Sequence, residues 1–322
     1  MKTGWGPMDA ASTVGRGRRV RSRAPRQAAR PAPDAGLGLQ PAEVCDNHHR
    51  HRHPATMPLG SHPITSVTCF GVGEGWPCPD RNHASFLFRF GDTRILVDAG
   101  DGLSSTYKAI GPGYDVIDRV FLSHMHSDHV GGFSLFVQGL WLEKRHRPLP
   151  VHMPGAGIPA LKAWLNATIL FEELVGFPIY WEPLASAVKV READVTVTPF
   201  PTTHLESLRR AFQKAHKTSC FDTFGFLFEG HGKRVGHTAD IGHVDDLDSL
   251  LSHRLDLLVC ELSHVQAEDL FAKLKGKDIG RIAFIHVERQ LWADKPGLKR
   301  LAKSMLGGIP FVIAQDGDEI SF

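Results

Sequence analysis

From residue 64 onward the chain alternates between two apolar patterns. Ile64-Thr-Ser-Val-Thr-Cys-Phe70 alternates in polarity and is rich in β-branched residues, so it reads as a strand. Ser85–Phe90 and Arg94–Asp98 flank a Gly91-Asp92 turn and read as a β-hairpin. Leu103–Ile110 predicts a short helix, Val116–Ser123 a strand, and Phe133–Arg145, with apolar residues at helical spacing and a basic end, a longer helix. Pro148–Met153 is the next strand and Ile158–Leu174 the next helix. Ala187–Val190 and Val195–Phe200 alternate as strands. A second hairpin follows, with Phe224–Glu229 joined through Gly230–Gly232 to Lys233–His237. Leu255–Leu262 and Arg281–His286 are apolar strands around a helix at Ala267–Leu274, and Phe311–Ala314 and Glu319–Phe322 close the chain. Two halves therefore each run from a hairpin into alternating strand and helix.

Residues 1–56 show neither pattern. They are rich in Arg, Ala, Pro and Gly and poor in large apolar residues, the composition of a disordered leader ahead of a folded body. The expected division is a basic leader at 1–60 and a single folded domain at 61–322. The leader carries ten Lys/Arg against four Asp/Glu, the remainder 27 against 31. The body is slightly acidic, which argues against a general nucleic-acid binder. Arg16-Gly-Arg-Arg-Val-Arg-Ser-Arg23 admits a targeting, nuclear or nucleic-acid reading, against a solvated tail or an extension upstream of a start at Met57; the last pair is favoured. His48, His49, His51 and His53 have no strand or helix to orient them. Five cysteines form no CxxC pair and their number is odd, which fits a reducing compartment. No run approaches the ~18 apolar residues of a membrane span. The expectation is a cytoplasmic protein with no membrane partner.

The chemistry gathers at strand ends. Straight after the strand at Val116–Ser123 comes His124-Met-His-Ser-Asp-His-Val-Gly-Gly132, with three imidazoles and a carboxylate in six residues. Each is costly to bury unpaired, and a divalent metal site supplies the missing partner. The alternative, a solvated histidine-rich loop, explains neither the preceding strand nor the further ligand types downstream. The Gly131-Gly132 pair predicts a tight loop into a helix, letting His124 and His126 face one ion and Asp128 with His129 a second. Asp98 ends a strand beside two glycines and reads either as a turn residue or as an acid that orients a ligating histidine. His204 follows the strand at Val195–Phe200 and is better placed to complete a three-histidine set than His216, which has no strand behind it. Asp240 and His286 also sit at strand ends, and Glu261 and His264 follow another. His146 and His152 are isolated and read as surface or core histidines.

The set His124-x-His126-x-Asp128-His129, then His204, Asp240 and His286, with Asp98 in Leu96-Val-Asp-Ala-Gly100, resembles the metallo-β-lactamase superfamily over roughly residues 64–322. The resemblance implies an α/β layered αββα sandwich of two mixed sheets flanked by helices. It also implies two divalent ions, usually Zn2+, with Mn2+ or Fe2+ as alternatives. His124, His126 and His204 would bind the first; Asp128, His129 and His286 would bind the second; Asp240 would bridge. Within the superfamily the chain looks most like the ribonuclease Z branch. Pro77-x-x-x-Arg81-Asn82 is similar to a substrate loop of that branch, with Pro79 where a lysine is usual. His264, 22 residues before His286, matches the place of a histidine thought to protonate the leaving group. Glu261 resembles a nearby motif glutamate, here crowded against His264 and preceded by Cys260 instead of a histidine. The long Gly- and basic-rich arm that grips tRNA in that branch has no counterpart. Arg209, Arg210, Lys214 and Lys217 read equally as a small phosphate-attracting patch or a solvated helix face.

Two divalent ions ~3.5–4 Å apart bring the pKa of a bridging water towards ~7, so hydroxide is the expected nucleophile. Asp128 would orient it, His264 would act as general acid, and Glu261 would tune His264. The leading expectation is a ribonuclease Z-like phosphodiesterase acting on RNA or a small phosphodiester. Alternatives are a lactone, ester or thioester hydrolase on the same site, and a non-catalytic metal-binding regulator. A homodimer is compatible with the resemblance.

Overall fold

The computed structural model describes residues 64–322. The leader, its histidines and the expected boundary at 60/61 lie outside the described residues. The strands, in chain order, are β1 (Thr65–Gly71), β2 (Ser85–Phe90), β3 (Thr93–Val97), β4 (Arg119–Phe121), β5 (Leu149–Pro154), β6 (Ile179–Leu184) and β7 (Val190–Glu192). Then come β8 (Val195–Pro201), β9 (Phe224–Gly230), β10 (Lys233–His237), β11 (Leu257–Leu262), β12 (Ile282–Val287), β13 (Phe311–Ile313) and β14 (Glu319–Ser321). They form two seven-stranded sheets, ordered β14-β1-β2-β3-β4-β5-β6 and β13-β12-β11-β10-β9-β8-β7. Each sheet is antiparallel around its hairpin (β2–β3, β9–β10) and parallel beyond it, so both are mixed.

Alternation explains the layering, because neighbouring residues of a strand face opposite sides. In β2 and β3, Phe86, Phe88, Phe90, Ile95 and Val97 face Val197, Phe226, Phe228, Val235 and Val259 of the other sheet. Phe88 stacks on Phe228 with ring centroids 4.5 Å apart. The intervening residues Leu87 and Leu96 pack outward under the helices α1 (Leu103–Ile110), α3 (Phe133–Leu142), α4 (Ile158–Ala167) and α5 (Glu172–Val175). Preceding α3 is the short α2 (Ser127–Val130). On the second sheet, Leu258, Cys260, Phe284 and Ile313 pack under α7 (Asp248–Leu251), α8 (Ala267–Leu274) and α10 (Lys295–Met305). The remaining helices, α6 (Glu206–Phe212) and α9 (Arg289–Ala293), lie in the connections after β8 and β12. The result is the expected αββα sandwich. No helix among the described residues is long and apolar enough to cross a membrane.

Several boundaries differ from the pattern. The helix expected through Leu174 stops at Ala167, because Ile169 turns into the left-handed region (φ 63°) before α5 begins. The strand expected at Ala187–Val190 starts only at Val190, after a left-handed Ala187 (φ 60°). The strand expected from Val116 shortens to Arg119–Phe121, with one 3-10 turn at Tyr114–Val116. The segment Leu149–Leu184 is β5, α4, α5 and β6, with no arm.

His152, isolated in the sequence, is buried on β5. Its ring stacks on Phe121 at 4.6 Å and its Nε2 meets Arg119 Nη1 at 2.8 Å. Burial, then the guanidinium, push its pKa down from 6.5 to about 4. A base with a depressed folded-state pKa takes its proton in the unfolded chain first. Its contribution is therefore fully present above pH 6.5 and is lost as pH falls from 6.5 through about 4. Replacing His152 by Phe is expected to remove on the order of 3 kcal/mol of acid-dependent destabilisation across that window. Urea melts of both proteins at several pH values check this: parallel profiles would sink the assignment.

Candidate metal centre

The centre is assembled where strands of both sheets end. Beyond β4, Ser123 and His124 stay buried and the chain then enters α2, with His126 at its N-cap and the His129 N–H returning to the His126 carbonyl (3.0 Å). The HxHxDH run is thus half extended and half one helical turn, which fans its side chains. Two glycines permit that turn to press against the end of β3. A Cβ on Gly100 would stand 2.3 Å from the Asp128 carbonyl oxygen, and one on Gly132 would stand 2.2 Å from that of Gly100.

From the second sheet, Asp240 follows β10 after a left-handed Ala239 (φ 47°). His286 sits in β12 at a bulge, since Glu261 pairs with Ile285 but Leu262 with Val287. His286 is left over, left-handed (φ 48°), with its N–H on the Val72 carbonyl at 2.8 Å. A bulge of this kind re-aims one side chain out of the ladder. Asp98, at the end of β3, is left-handed as well (φ 59°). Strain of ~1–3 kcal/mol per such residue is characteristic of sites the surrounding fold over-determines.

These placements give two overlapping clusters: His124, His126, His204 and Asp240; and Asp128, His129, Asp240 and His286, with donor atoms within 4.8 Å of one another. Asp240 belongs to both. Its Oδ2 lies 3.3 Å from His129 Nε2, 3.5 Å from His286 Nε2, 3.6 Å from His204 Nε2 and 3.8 Å from His124 Nε2. Asp128 Oδ2 lies 3.4 Å from His129 Nε2 and 3.7 Å from His286 Nε2. Behind the cluster, Asp98 accepts from Ser123 N (2.7 Å), Ser123 Oγ (2.9 Å) and His129 Nδ1 (2.8 Å), which leaves His129 Nε2 directed inward.

Burial drives the His124 pKa well below the ordinary value, with His129 adding to it, and drives His204 down to about 4 against the pull of Asp240. His126 and His286 move down for the same first reason. Neutral imidazole is the ligating form. Burial also opposes ionisation of Asp240, yet His286, His129 and His264 hold its carboxyl well below the usual range.

The donor set itself tests whether cations fit. His124 Nε2, His129 Nε2 and Asp240 Oδ1 are buried with no hydrogen-bond partner among the described residues. Each such atom costs ~1–3 kcal/mol. Nitrogen and carboxylate donors converging from several sides are the ligands of zinc and neighbouring divalent metals. The residues fit.

His264 adjoins the cluster, its Nδ1 3.7 Å from Asp240 Oδ2 and 3.2 Å from Glu261 Oε1. Burial lowers its pKa, but Asp240 and Glu261 outweigh this and raise it to about 9. Glu261 is wholly buried and accepts from Ile241 N (3.0 Å), Ser263 N (2.7 Å) and His264 N (3.1 Å). It holds His264 and the Asp240 turn in place. Arg81 and Asn82 also point inward. Arg81 Nη1 donates to the Val287 carbonyl (2.7 Å) and its guanidinium stacks on Trp292; the Asn82 amide bonds Thr106 Oγ1 (2.6 Å) and the Phe70 carbonyl (3.2 Å). Arg209 pairs with Asp222 and Glu206, and Arg210 with Glu206, which favours a solvated helix face. The sequence reading missed Glu74, whose carboxylate bridges Ser263 Oγ (3.1 Å) and Arg289 N (2.8 Å), and so ties the loop after β1 to both later loops. A lone acid in a glycine-rich loop carried no signal.

A family model described as a beta-lactamase superfamily domain matches residues 93–286. The chain belongs to that superfamily. Among relatives, it is 24% identical over 304 residues to a protein named ribonuclease Z from Natronomonas pharaonis, covering 79% of this chain and 96% of that one. It is 27% identical over 307 residues to a ribonuclease Z from Halorubrum lacusprofundi, with the same two shares. A metallo-beta-lactamase fold protein, YhfI from Bacillus subtilis, shares the architecture with a TM-score of 0.65 at 19% identity, covering 81% of this chain and all of that one. This superfamily member is a metal-dependent hydrolase, similar to the ribonucleases Z.

Proposed function

We propose that the chain is a dinuclear phosphodiesterase of ribonuclease Z type, cleaving RNA or a small phosphodiester. His124, His126 and His204 would hold one divalent cation, Asp128, His129 and His286 a second, and Asp240 would serve both. When bound, the cations supply hydroxide at neutral pH and neutralise charge on substrate oxygens. Asp128 orients the attacking water through its carboxylate. Glu261 Oε1 takes the Nδ1 proton of His264 as a hydrogen bond (3.2 Å), leaving Nε2 to deliver a proton to the departing oxygen. The observation that carries the reading is this placement of His264, its Nδ1 held by Glu261 and 3.7 Å from Oδ2 of the shared Asp240. A phosphodiester with an alkoxide leaving group needs such an acid; a strained lactone does not.

The zinc-loaded full chain is to be assayed against bis(p-nitrophenyl) phosphate, a precursor tRNA and a lactone, beside Asp240→Ala. Phosphodiester cleavage no faster than in that variant rejects the reading, and lactone turnover alone moves it to the second class. If the reading holds, His264→Ala is expected to slow precursor tRNA cleavage by about 10²–10⁴-fold. The same change should slow bis(p-nitrophenyl) phosphate by less than about tenfold, because p-nitrophenolate leaves without a proton. Equal losses on both substrates would remove His264 from the role of acid.

A further inference from the structure

The loop after β1 passes directly over the second cluster: a Cβ on Gly75 would lie 3.3 Å from Asp128 Oδ2. The next residue, Trp76, is 58% exposed. The Arg289 guanidinium lies over its ring, 4.0 Å from the centroid. Arg289 is itself exposed and, among the described residues, its guanidinium has no carboxylate partner, although it lies three residues past His286. An exposed Trp is expensive to keep ordered, yet this loop is fixed. Glu74 anchors it to Ser263 and Arg289, Val72 N donates to Asp316 Oδ1 (3.0 Å), and the Val72 carbonyl accepts from His286 N (2.8 Å). One ring face is covered by a cation, so the large remaining exposure belongs to the other face and the edge.

We propose that Trp76, backed by Arg289, is a stacking platform for a nucleobase of the substrate, one residue from the reacting centre. This deepens the phosphodiesterase reading and rests on it. A flat indole takes any base, since every base offers a π face, and base–aromatic stacking contributes about 1–3 kcal/mol. The guanidinium behind the ring adds positive charge where the neighbouring phosphate runs. The platform confers preference for nucleoside esters over alkyl esters without selecting a particular base.

Two measurements on the zinc-loaded full chain test this. By calorimetry, AMP is expected to bind roughly 5- to 150-fold more tightly than ribose 5-phosphate. Both probes carry the same phosphate, so the difference isolates the base. Trp76→Ala should bring the two affinities together, and Trp76→Phe should restore most of the gap. In kinetics, the ratio of kcat/KM for a nucleoside 5′-(p-nitrophenyl phosphate) to that for methyl p-nitrophenyl phosphate should fall by a similar factor in Trp76→Ala. Equal binding of AMP and ribose 5-phosphate by the unmodified chain overturns the platform. So does a preference that survives Trp76→Ala, or an effect of that variant confined to self-association in sedimentation. If no ester is hydrolysed while AMP is still preferred through Trp76, the phosphodiesterase reading fails and the nucleobase site stands.

Discussion

Asp240→Ala is expected to lower kcat/KM at least about 10³-fold on every hydrolysed substrate and to reduce bound metal at both positions. Its Oδ2 is the atom on which the two clusters overlap, with ring nitrogens at 3.3–3.8 Å from both sides. Among the described residues no other carboxylate belongs to both clusters. Glu261 is committed to three backbone N–H groups and His264, and Asp128 stands on the second cluster alone. Elemental analysis beside steady-state kinetics decides the matter: a variant that keeps two ions and a tenth of the activity would show that the clusters are independent.

The second large effect is on stability and lies away from the centre. Arg145 is 2% exposed, with Nε on the Arg147 carbonyl (2.8 Å), Nη1 on Tyr114 (3.0 Å), and Nη2 on Ile117 and Pro148 (both 2.8 Å). One guanidinium therefore satisfies four backbone acceptors that join the end of α3 to the entries of β4 and β5. Burial pulls its pKa down to about 10, so the charge persists at neutral pH. Arg145→Met keeps the volume and strips all four donors, and should cost about 3–5 kcal/mol in chemical denaturation. Arg145→Lys should recover only part, because an ammonium cannot spread its donors over the same fork. A loss below about 1 kcal/mol would mean that water replaces the guanidinium.

Arg145 also shows where sequence pattern stops informing. At the end of an apolar-periodic helix it reads as an ordinary basic terminus; its burial depends on four carbonyls, those of Arg147 and Pro148 just beyond it and those of Tyr114 and Ile117 from a distant turn. The ligand types were legible because each sits at the end of an apolar strand, and strand ends of one sandwich edge converge. Their aim was not legible. The bulge that frees His286 arises from pairing between β11 and β12, which no single segment encodes, and nothing in the local pattern marks Asp98 and Ala239 as left-handed. Arg81 and Asn82 were visible as a motif, but their inward hydrogen bonds to Val287, Thr106 and Phe70 follow from tertiary packing alone. Pattern likewise underestimated how sharply Ile169 ends a helix whose apolar spacing continues.

The origin of the donors has a thermodynamic consequence. His124, His126, Asp128 and His129 come from the first sheet, and His204, Asp240 and His286 from the second. Neither half carries a full set, so the high-affinity arrangement exists only once both sheets have docked. A cation that binds the docked state in preference to the open chain stabilises it by mass action, by about 2.7 kcal/mol when free metal exceeds its dissociation constant a hundredfold. Cations held by these residues would act as cross-links between the halves of the sandwich. Metal supply would then shift the stability of the fold as well as the rate of its reaction.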